Sequence, residues 1–219
     1  MFTTDELAHR FRSDVADPLE GVDAEHPDSE NLWKNWEVYS YMSDAVDATA
    51  RETKGLLKTL RLPVVPDEPV VGLPRTVIDI RDAWLDSDGR QVAASNSHEL
   101  LRYNHVHSRG RPRHYARDRE RKAVVLSPTP AVADTLVLQC SVIPGVPMLT
   151  GMPLPLLDRP DQLLVLSYMK YLAYAKQDAD TLDLARSQAF LSEFTRNAQA
   201  REVELRRERR LPTPIRMEW

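Results

Sequence analysis

Four histidines crowd the middle of the sequence, and neutral imidazole is the commonest metal ligand in proteins. They are His98, His105, His107 and His114. If His105 and His107 lie on a strand, their rings point to the same face, and with Glu99 they could bind zinc. The spacing matches no established zinc pattern and the surrounding residues are mostly arginine, so we favour a polar surface loop. We expect no metal and no other cofactor.

Other catalytic patterns are absent from the sequence. There is no glycine-rich phosphate loop, no G-x-S-x-G turn around a nucleophile and no H-E-x-x-H pair. One enzymatic alternative stays open: a cell-wall-degrading or metal-dependent hydrolase that uses the histidine region, or a carboxylate pair such as Asp79 and Asp82. We predict that the protein has no catalytic residues and is not an enzyme.

Residues 109–122, RGRPRHYARDRERK, form a strongly basic segment with only Asp118 and Glu120 as acidic neighbours. Its basic residues are Arg109, Arg111, Arg113, Arg117, Arg119, Arg121 and Lys122. Such a segment attracts phosphates without reading sequence. One interpretation is a surface that attracts the phosphates of a nucleic acid, as in a small nucleic-acid-binding protein. A solvated hairpin tip with local arginine–carboxylate pairs is the alternative.

The net charge of −4 is unevenly distributed along the 219 residues. Residues 1–30 hold nine acidic residues and two arginines, whereas residues 196–210 hold six arginines and three glutamates. Opposite charges at the two ends suit head-to-tail contacts between copies, although solvated ends are the commoner explanation. The single Cys140 excludes an internal disulfide, and no apolar run approaches the ~20 residues of a membrane span. We expect a soluble intracellular protein.

The elements that position these residues begin with helices. Helical periodicity predicts four of them, over residues 3–16, 31–55, 161–177 and 181–210. The first begins with a capping box of Thr3 and Glu6, and the second ends with Gly55 as a left-handed terminating residue. The second also carries a stripe at alternating spacings of four and three, predicted to pack against a neighbouring helix. The stripe is Leu32, Trp36, Tyr39, Ser43, Val46, Ala50, Thr53 and Leu57.

The last two predicted helices differ in their surroundings. Residues 163–175 are apolar on nearly every side, which predicts a helix buried all round. The final helix, capped by Asp180, begins with an apolar side but is polar almost everywhere from Arg196 onward. We expect this helix to leave its own domain and to extend into solvent or lie against another molecule.

Between the second and third helices, residues 58–143 change to short strands separated by prolines. Residues 77–85 are predicted as a strand that leads through the Asp88-Gly89 turn into a hairpin. Residues 123–126 and 135–142 are predicted to pair with each other, and residues 97–103 to form a short helix. The fold class is therefore α+β: a helical scaffold with an inserted small antiparallel β module.

Residues 211–219, LPTPIRMEW, have an unusual composition for a tail. Pro212 and Pro214 prevent a helix, and the apolar side chains that remain could anchor the segment in a partner's groove. These are Leu211, Ile215, Met217 and Trp219. The alternative is that the segment folds back over its own core.

The order of these elements resembles the phage adaptor proteins, the head-to-tail connectors that sit beneath the portal of a tailed virus. The resemblance rests on TTDELAHRFRSDVADP, on the second helix ending in ARETKGLL, on the strand pair around residues 74–85, on GRPRHY before LSPTP, and on AKQDADT before the final helix. It covers roughly residues 2–205. Its specificity lies in the order, because none of these stretches is a catalytic fingerprint.

The resemblance implies a structural virion protein: a ring, commonly twelvefold, that is made in the host cytoplasm and sits in the neck of the virion. Its partners would be the portal protein, neighbouring copies of itself and a downstream tail or nozzle protein, with genomic DNA passing transiently and no membrane involved. Residues 1–205 would form a single adaptor domain, and residues 206–219 a tail that docks on the portal.

The resemblance and the charge pattern together assign two sets of site residues. The expected portal-binding residues are Arg206, Arg207, Arg209, Arg210, Leu211, Pro212, Pro214, Ile215, Met217 and Trp219. The expected channel-facing or DNA-facing residues are the seven basic residues of the basic segment. Some relatives in short-tailed viruses are similar to cell-wall hydrolases, but this sequence shows no paired carboxylates that support that activity.

Overall fold

A computed structural model describes residues 2–17, 32–96, 108–155, 158–177 and 182–210. Its helices are α1 (Thr4–Asp14), α2 (Asn35–Thr53), α3 (Arg159–Ala175) and α4 (Leu184–Arg210). Its strands are β1 (Leu57–Val64), β2 (Val70–Gly72), β3 (Val77–Leu85), β4 (Ala93–Ala94), β5 (Arg109–Gly110), β6 (His114–Asp118), β7 (Ala123–Ser127), β8 (Thr129–Pro130) and β9 (Asp134–Val142). The predicted α+β class is confirmed. Among the described helices, none is long and apolar enough to cross a membrane.

The chain divides into two compact units. The helical unit consists of Met1–Leu56 and Ile143–Trp219, and the β unit consists of Leu57–Val142.

The helical unit is built around a core that α1, α2 and α3 share. Its largest buried side chains include Leu7, Phe11, Trp33, Met42 and Met169. The predicted capping box is confirmed at the start of α1. The Thr3 hydroxyl accepts from the backbone N–H of Glu6 at 3.2 Å, and the Glu6 carboxylate accepts from the N–H of Thr3 at 2.8 Å.

The predicted stripe on α2 is wrong in its first part. Trp36 is 70% exposed and Leu32 is 43% exposed, whereas Trp33 is buried and its indole N–H donates to the carbonyl of Ala173 at 3.2 Å. Because α2 begins only at Asn35, residues 32 and 33 do not follow the helical period. Deeper in the helix, Val46, Ala50 and Thr53 are buried as predicted.

The end of α2 is also corrected. The left-handed residue is Lys54, with φ 49°, and not Gly55. A Cβ on Gly55 would lie 3.1 Å from the Thr53 hydroxyl oxygen and 3.3 Å from Cδ1 of Leu205. Gly55 therefore allows the last turn of α2 to approach α4 closely.

Two expectations for the last helices are wrong. The helix α4 does not leave its unit after Arg196, because Ala198, Arg201 and Leu205 are all buried. A buried arginine made that face look polar in the sequence. The helix α3 is not buried all round, since Leu163 is 38% exposed.

The predicted cap of the final helix is shifted along the chain. The helix begins at Leu184, and the Asp183 carboxylate accepts from the N–H of Arg186 at 3.0 Å. Asp183 therefore occupies the N-terminal cap position, and Asp180 lies outside the described residues.

The β unit contains three small sheets. Their strand orders are β1-β9-β3, β2-β7-β6-β4 and β5-β8. The first is antiparallel throughout, and its register places Leu57, the first residue of the unit, opposite Ser141 near the unit's end. The pairs β4–β6 and β5–β8 are parallel, so the expectation of an entirely antiparallel module is wrong.

The predicted strands are present, but one predicted pairing is wrong. β7 pairs with β2 and β6, whereas β9 lies between β1 and β3. The consecutive residues Leu136, Val137 and Leu138 of β9 are buried, which suits a central strand with both faces covered. β7 instead pairs locally with β6 across the short connection of residues 119–122.

The hairpin after β3 is confirmed. Gly89 has φ 65°, and the N–H of Leu85 donates to the carbonyl of Arg90 at 3.0 Å. A left-handed residue at this position favours glycine, as the Asp88-Gly89 dipeptide indicated. The predicted helix over residues 97–103 lies outside the described residues.

Candidate interaction surfaces

An open groove of about 670 Å³ runs between α3 and α4 in the helical unit. We call it the α3–α4 groove. Its apolar residues include Leu163, Leu164, Ala200 and Val203. Leu163 and Val203 are 38% and 45% exposed, so the groove presents two large aliphatic side chains to the surface. Charged residues of α4 line it as well, namely Glu193, Glu204 and Arg207.

The walls of the groove are held together by Arg201. Its Nε donates to the Asp161 carboxylate at 3.1 Å, and its Nη1 donates to the Glu204 carboxylate at 2.7 Å. Its Nη2 donates to Asp158, just before α3. One guanidinium therefore joins the start of α3 to the last third of α4, and its fork geometry suits several carboxylates at once.

The environment of this cluster shifts the pKa values of its members. Burial raises the pKa of Asp161, and the hydrogen bond from Arg201 offsets only part of that rise. Burial alone would lower the pKa of Arg201, but its hydrogen bonds to Glu204 and Asp161 prevail and raise the pKa. The pair is therefore a buried ion pair that depends on its hydrogen bonds.

The basic segment of residues 109–122 is largely neutralised within the β unit. Arg109 lies 2.8 Å from Asp67, Arg111 pairs with Asp88, and Arg121 lies 3.7 Å from Asp118. Arg117 lies 3.7 Å from Asp79, and its Nη2 donates to the backbone carbonyl of Val77 at 3.3 Å. Only the Arg121–Asp118 pair is local, as expected for a solvated hairpin tip, whereas the other three arginines pair with aspartates from earlier parts of the β unit.

Among the described residues, Arg113, Arg119 and Lys122 are exposed and form none of these ion pairs, whereas Arg109, Arg111 and Arg121 are exposed but paired with aspartates. Arg113 immediately precedes β6, and Arg119 and Lys122 lie in the connection that follows it. Arg113 and Arg119 are six residues apart across β6, a distance of roughly 20 Å. The segment therefore offers two small positive sites rather than one continuous patch, and its DNA-facing role stays a prediction.

Of the candidate metal ligands that the sequence offered, the structure describes only His114. His114 is exposed on β6, whereas His98, Glu99, His105 and His107 lie outside the described residues. Within the described ranges, no group of three or more histidine, cysteine, aspartate and glutamate side chains is placed to hold a metal ion. Asp79 and Asp82 both lie on β3.

The predicted portal-binding residues begin in the last turns of α4. The Arg206 guanidinium donates to the Glu202 carboxylate at 2.6 Å, and the exposed Arg207 lines the α3–α4 groove. Arg209 and Arg210 belong to the helix, and residues 211–219 lie outside the described residues.

Neither the α3–α4 groove nor the role of Arg201 in its wall was expected from the sequence. A signal was present: positions 193, 197, 200, 204 and 207 of α4 alternate in steps of four and three, and all of them line the groove. Their mixed composition hid this second face. The burial of Arg201 had no such signal, because its buried partner Asp161 lies forty positions earlier in the chain.

These features describe an α+β protein with an apolar groove, a charged helix end and exposed cations beside the short strand β6. The chain belongs to the SU10 adaptor protein family, whose model matches residues 2–218. It is therefore a phage structural adaptor protein and a component of the virion. No curated protein matches the chain.

Proposed function

We propose that the protein forms a ring that docks on the portal, extends the DNA channel and joins the head to the tail. The observation that carries this proposal is the match to the adaptor family over nearly the whole chain. The protein would act through assembly and have no catalytic step of its own. Its partners are the portal, neighbouring copies and a downstream tail or nozzle protein.

The helical unit supplies the scaffold of the proposed adaptor domain, with the β unit inserted into it. The 27 residues of α4 form a rod of about 40 Å. Its far end is anchored by the buried Arg201 and Leu205. Because buried residues hold α4 to within five residues of its end at Arg210, the helix gives residues 206–219 a fixed starting point from which to reach a partner.

We further propose that Arg206, Arg207, Arg209 and Arg210 contact acidic groups of the portal, while residues 211–219 fill an apolar groove on it. Exposed arginines mainly speed association and set orientation, whereas buried apolar anchors contribute most of the affinity.

The proposed channel-facing role is confined to Arg113, Arg119 and Lys122. The other four basic residues of the segment already pair with aspartates of the β unit, so they contribute little free positive charge. Weak and divided positive charge suits a channel through which DNA must pass without being retained.

The experiment that tests the proposal mixes the purified protein with the portal of its own virus and examines the mixture by native mass spectrometry and electron microscopy. From a chain of 25.0 kDa, a twelvefold ring would have a mass of about 300 kDa. A ring capping the portal is the expected result. A protein that stays monomeric and separate from the portal would refute it.

A zymogram on host cell wall examines the absence of catalysis. No clearing is expected. Clearing that is lost in a His105→Ala/His107→Ala variant would establish the hydrolase alternative instead.

A further inference from the structure

We propose that the α3–α4 groove is the binding site for residues 211–219 of the same chain. In the free subunit, this segment would lie back along α4 with its apolar side chains on Leu163, Ala200 and Val203. This binding site is where the proposed docking segment would lie when no partner is present, and its existence does not depend on portal binding.

The groove leaves an apolar surface open to solvent. Leu163 and Val203 lie on facing helices, and both have more than a third of their surface exposed. The chain that follows α4 carries four large apolar side chains within nine residues: Leu211, Ile215, Met217 and Trp219. Each side chain buried there would gain the free energy of removing apolar surface from water.

Residues 211–219 are long enough to extend along the groove. From Arg210 back to Glu193, at the far end of the groove, α4 measures about 26 Å at 1.5 Å per residue. Nine extended residues span at most about 30 Å. A segment that reverses direction directly after Arg210 and continues extended through Pro212 and Pro214 can therefore reach most of the groove.

The charges of the segment bear on its position as well. It carries one cation, Arg216, between Ile215 and Met217, and one anion, Glu218, beyond Met217. If the segment runs back along α4 from Arg210 in an extended conformation, it advances about 3.3 Å per residue. Arg216 then lies beside the part of α4 between Glu204 and Glu193. Both glutamates line the groove, so the cation meets carboxylates while its neighbours meet aliphatic side chains.

A helix from a second copy fits the same groove less well. The stripe that α4 presents includes Glu193, Asn197, Glu204 and Arg207, and its apolar part is short. A helix seam of normal length requires apolar residues at most of these positions. A short extended peptide needs only the few apolar contacts that the groove provides.

The inference has a mechanical consequence for docking. The segment cannot lie in the groove and on the portal at once, so the portal must displace it. The groove would then keep apolar anchors covered until a partner is present, which limits non-specific association of free subunits.

Disulfide trapping in the full-length chain tests the inference. One variant carries Ala200→Cys with Ile215→Cys, and its matched control carries Gln199→Cys with Ile215→Cys. Gln199 is exposed and adjacent in sequence, but its side chain points about 100° away around the helix and does not line the groove. The native Cys140 is buried, and burial raises its pKa to about 11, so it competes little for oxidation.

The expected result is an intramolecular disulfide that forms at least about tenfold faster in the Ala200 variant than in the Gln199 control, because binding raises the local concentration of the segment at the groove. Mass spectrometry of unreduced peptides distinguishes it from a disulfide between chains. Equal rates in the two variants would overturn the inference. Disulfides formed only between chains would also overturn it and assign the groove to a second copy.

A second variant separates groove binding from simple proximity. Adding Leu163→Glu and Val203→Glu changes two exposed side chains, and the fold is expected to persist because neither belongs to the core. Trapping in the Ala200 variant should then fall to the rate of the Gln199 control. An unchanged rate would show that the apolar groove does not hold the segment. Since no portal is present in either experiment, failure here leaves the proposed docking role untouched.

Discussion

Replacing Arg201 by methionine should destabilise the helical unit more than any exposed arginine substitution on α4. Methionine keeps the apolar stem but removes the guanidinium that contacts Asp158, Asp161 and Glu204. Asp158 and Glu204 are more than half exposed and regain water, whereas the Asp161 carboxylate is only 6% exposed and stays without a countercharge.

The magnitude follows from that difference in burial. Breaking a buried ion pair by removing one partner costs about 3–5 kcal/mol, and the exposed carboxylates place this case near the lower end. A loss of about 3 kcal/mol corresponds to a drop in Tm of about 6–12 °C for a chain of this size. Thermal unfolding followed by circular dichroism at 222 nm measures it.

The pH dependence of the stability loss in Arg201→Met identifies its cause. Burial already raises the pKa of Asp161, and losing Arg201 removes the hydrogen bond that opposes this rise. A carboxylate whose folded pKa is raised destabilises the fold fully above that pKa and not at all below its unfolded pKa of about 4. The Tm difference between the variant and the parent should therefore narrow as the pH falls from 7 towards 4.5.

Two further variants make the test decisive. Arg196→Met removes an exposed arginine from the same helix and should change the stability by less than about 0.5 kcal/mol. Adding Asp161→Asn to Arg201→Met should recover much of the lost stability, because asparagine carries no buried charge at this position. A Tm loss that is independent of pH and is not relieved by the second change would refute the buried-charge explanation.

Three other predictions follow from the same structure. Trp33→Ala should lower the free energy of unfolding by about 3–5 kcal/mol by leaving a cavity in the helical core, whereas Trp36→Ala should leave the urea midpoint almost unchanged. Equal effects of the two substitutions would show that Trp36 also packs in the core, as the sequence predicted. Gly55→Ala should lower the free energy of unfolding by about 1 kcal/mol, because the added methyl lies 3.1 Å from the Thr53 hydroxyl oxygen and 3.3 Å from Cδ1 of Leu205, and an unchanged Tm would show that the Leu205 side chain moves aside. Joint neutralisation of Arg113, Arg119 and Lys122 to glutamine should alter DNA ejection more than neutralisation of the paired Arg109, Arg111 and Arg121; identical ejection by both sets of particles would show that the segment is only a solvated hairpin.

The sequence was most informative where local chemistry decides the structure. The capping box at Thr3 and the Asp88-Gly89 turn depend on residues within a few positions of each other, so their patterns could be recognised directly. The α+β class followed from the change between helical and alternating periods.

The errors arose where distant residues decide the outcome. Trp33 and Trp36 are equally apolar, and only the start of α2 at Asn35 determines which of them enters the core. Arg201 looks like a solvent-exposed residue until Asp161 is placed beside it. The partner of β9 depended on where β1 and β3 lie, which no local signal provides.

The register of the first sheet has a consequence for how such a chain can vary. Because Leu57 lies opposite Ser141 in the antiparallel pair of β1 and β9, the chain enters and leaves the β unit at neighbouring points, within about 5.5 Å. A gap this small can be closed by a tight turn. We therefore expect that the β unit can change in length and shape without displacing the helices that flank it. A chain that joins Leu56 to Ile143 through two glycines should keep the helical circular dichroism signal, and loss of that signal would show that the two units cannot be separated.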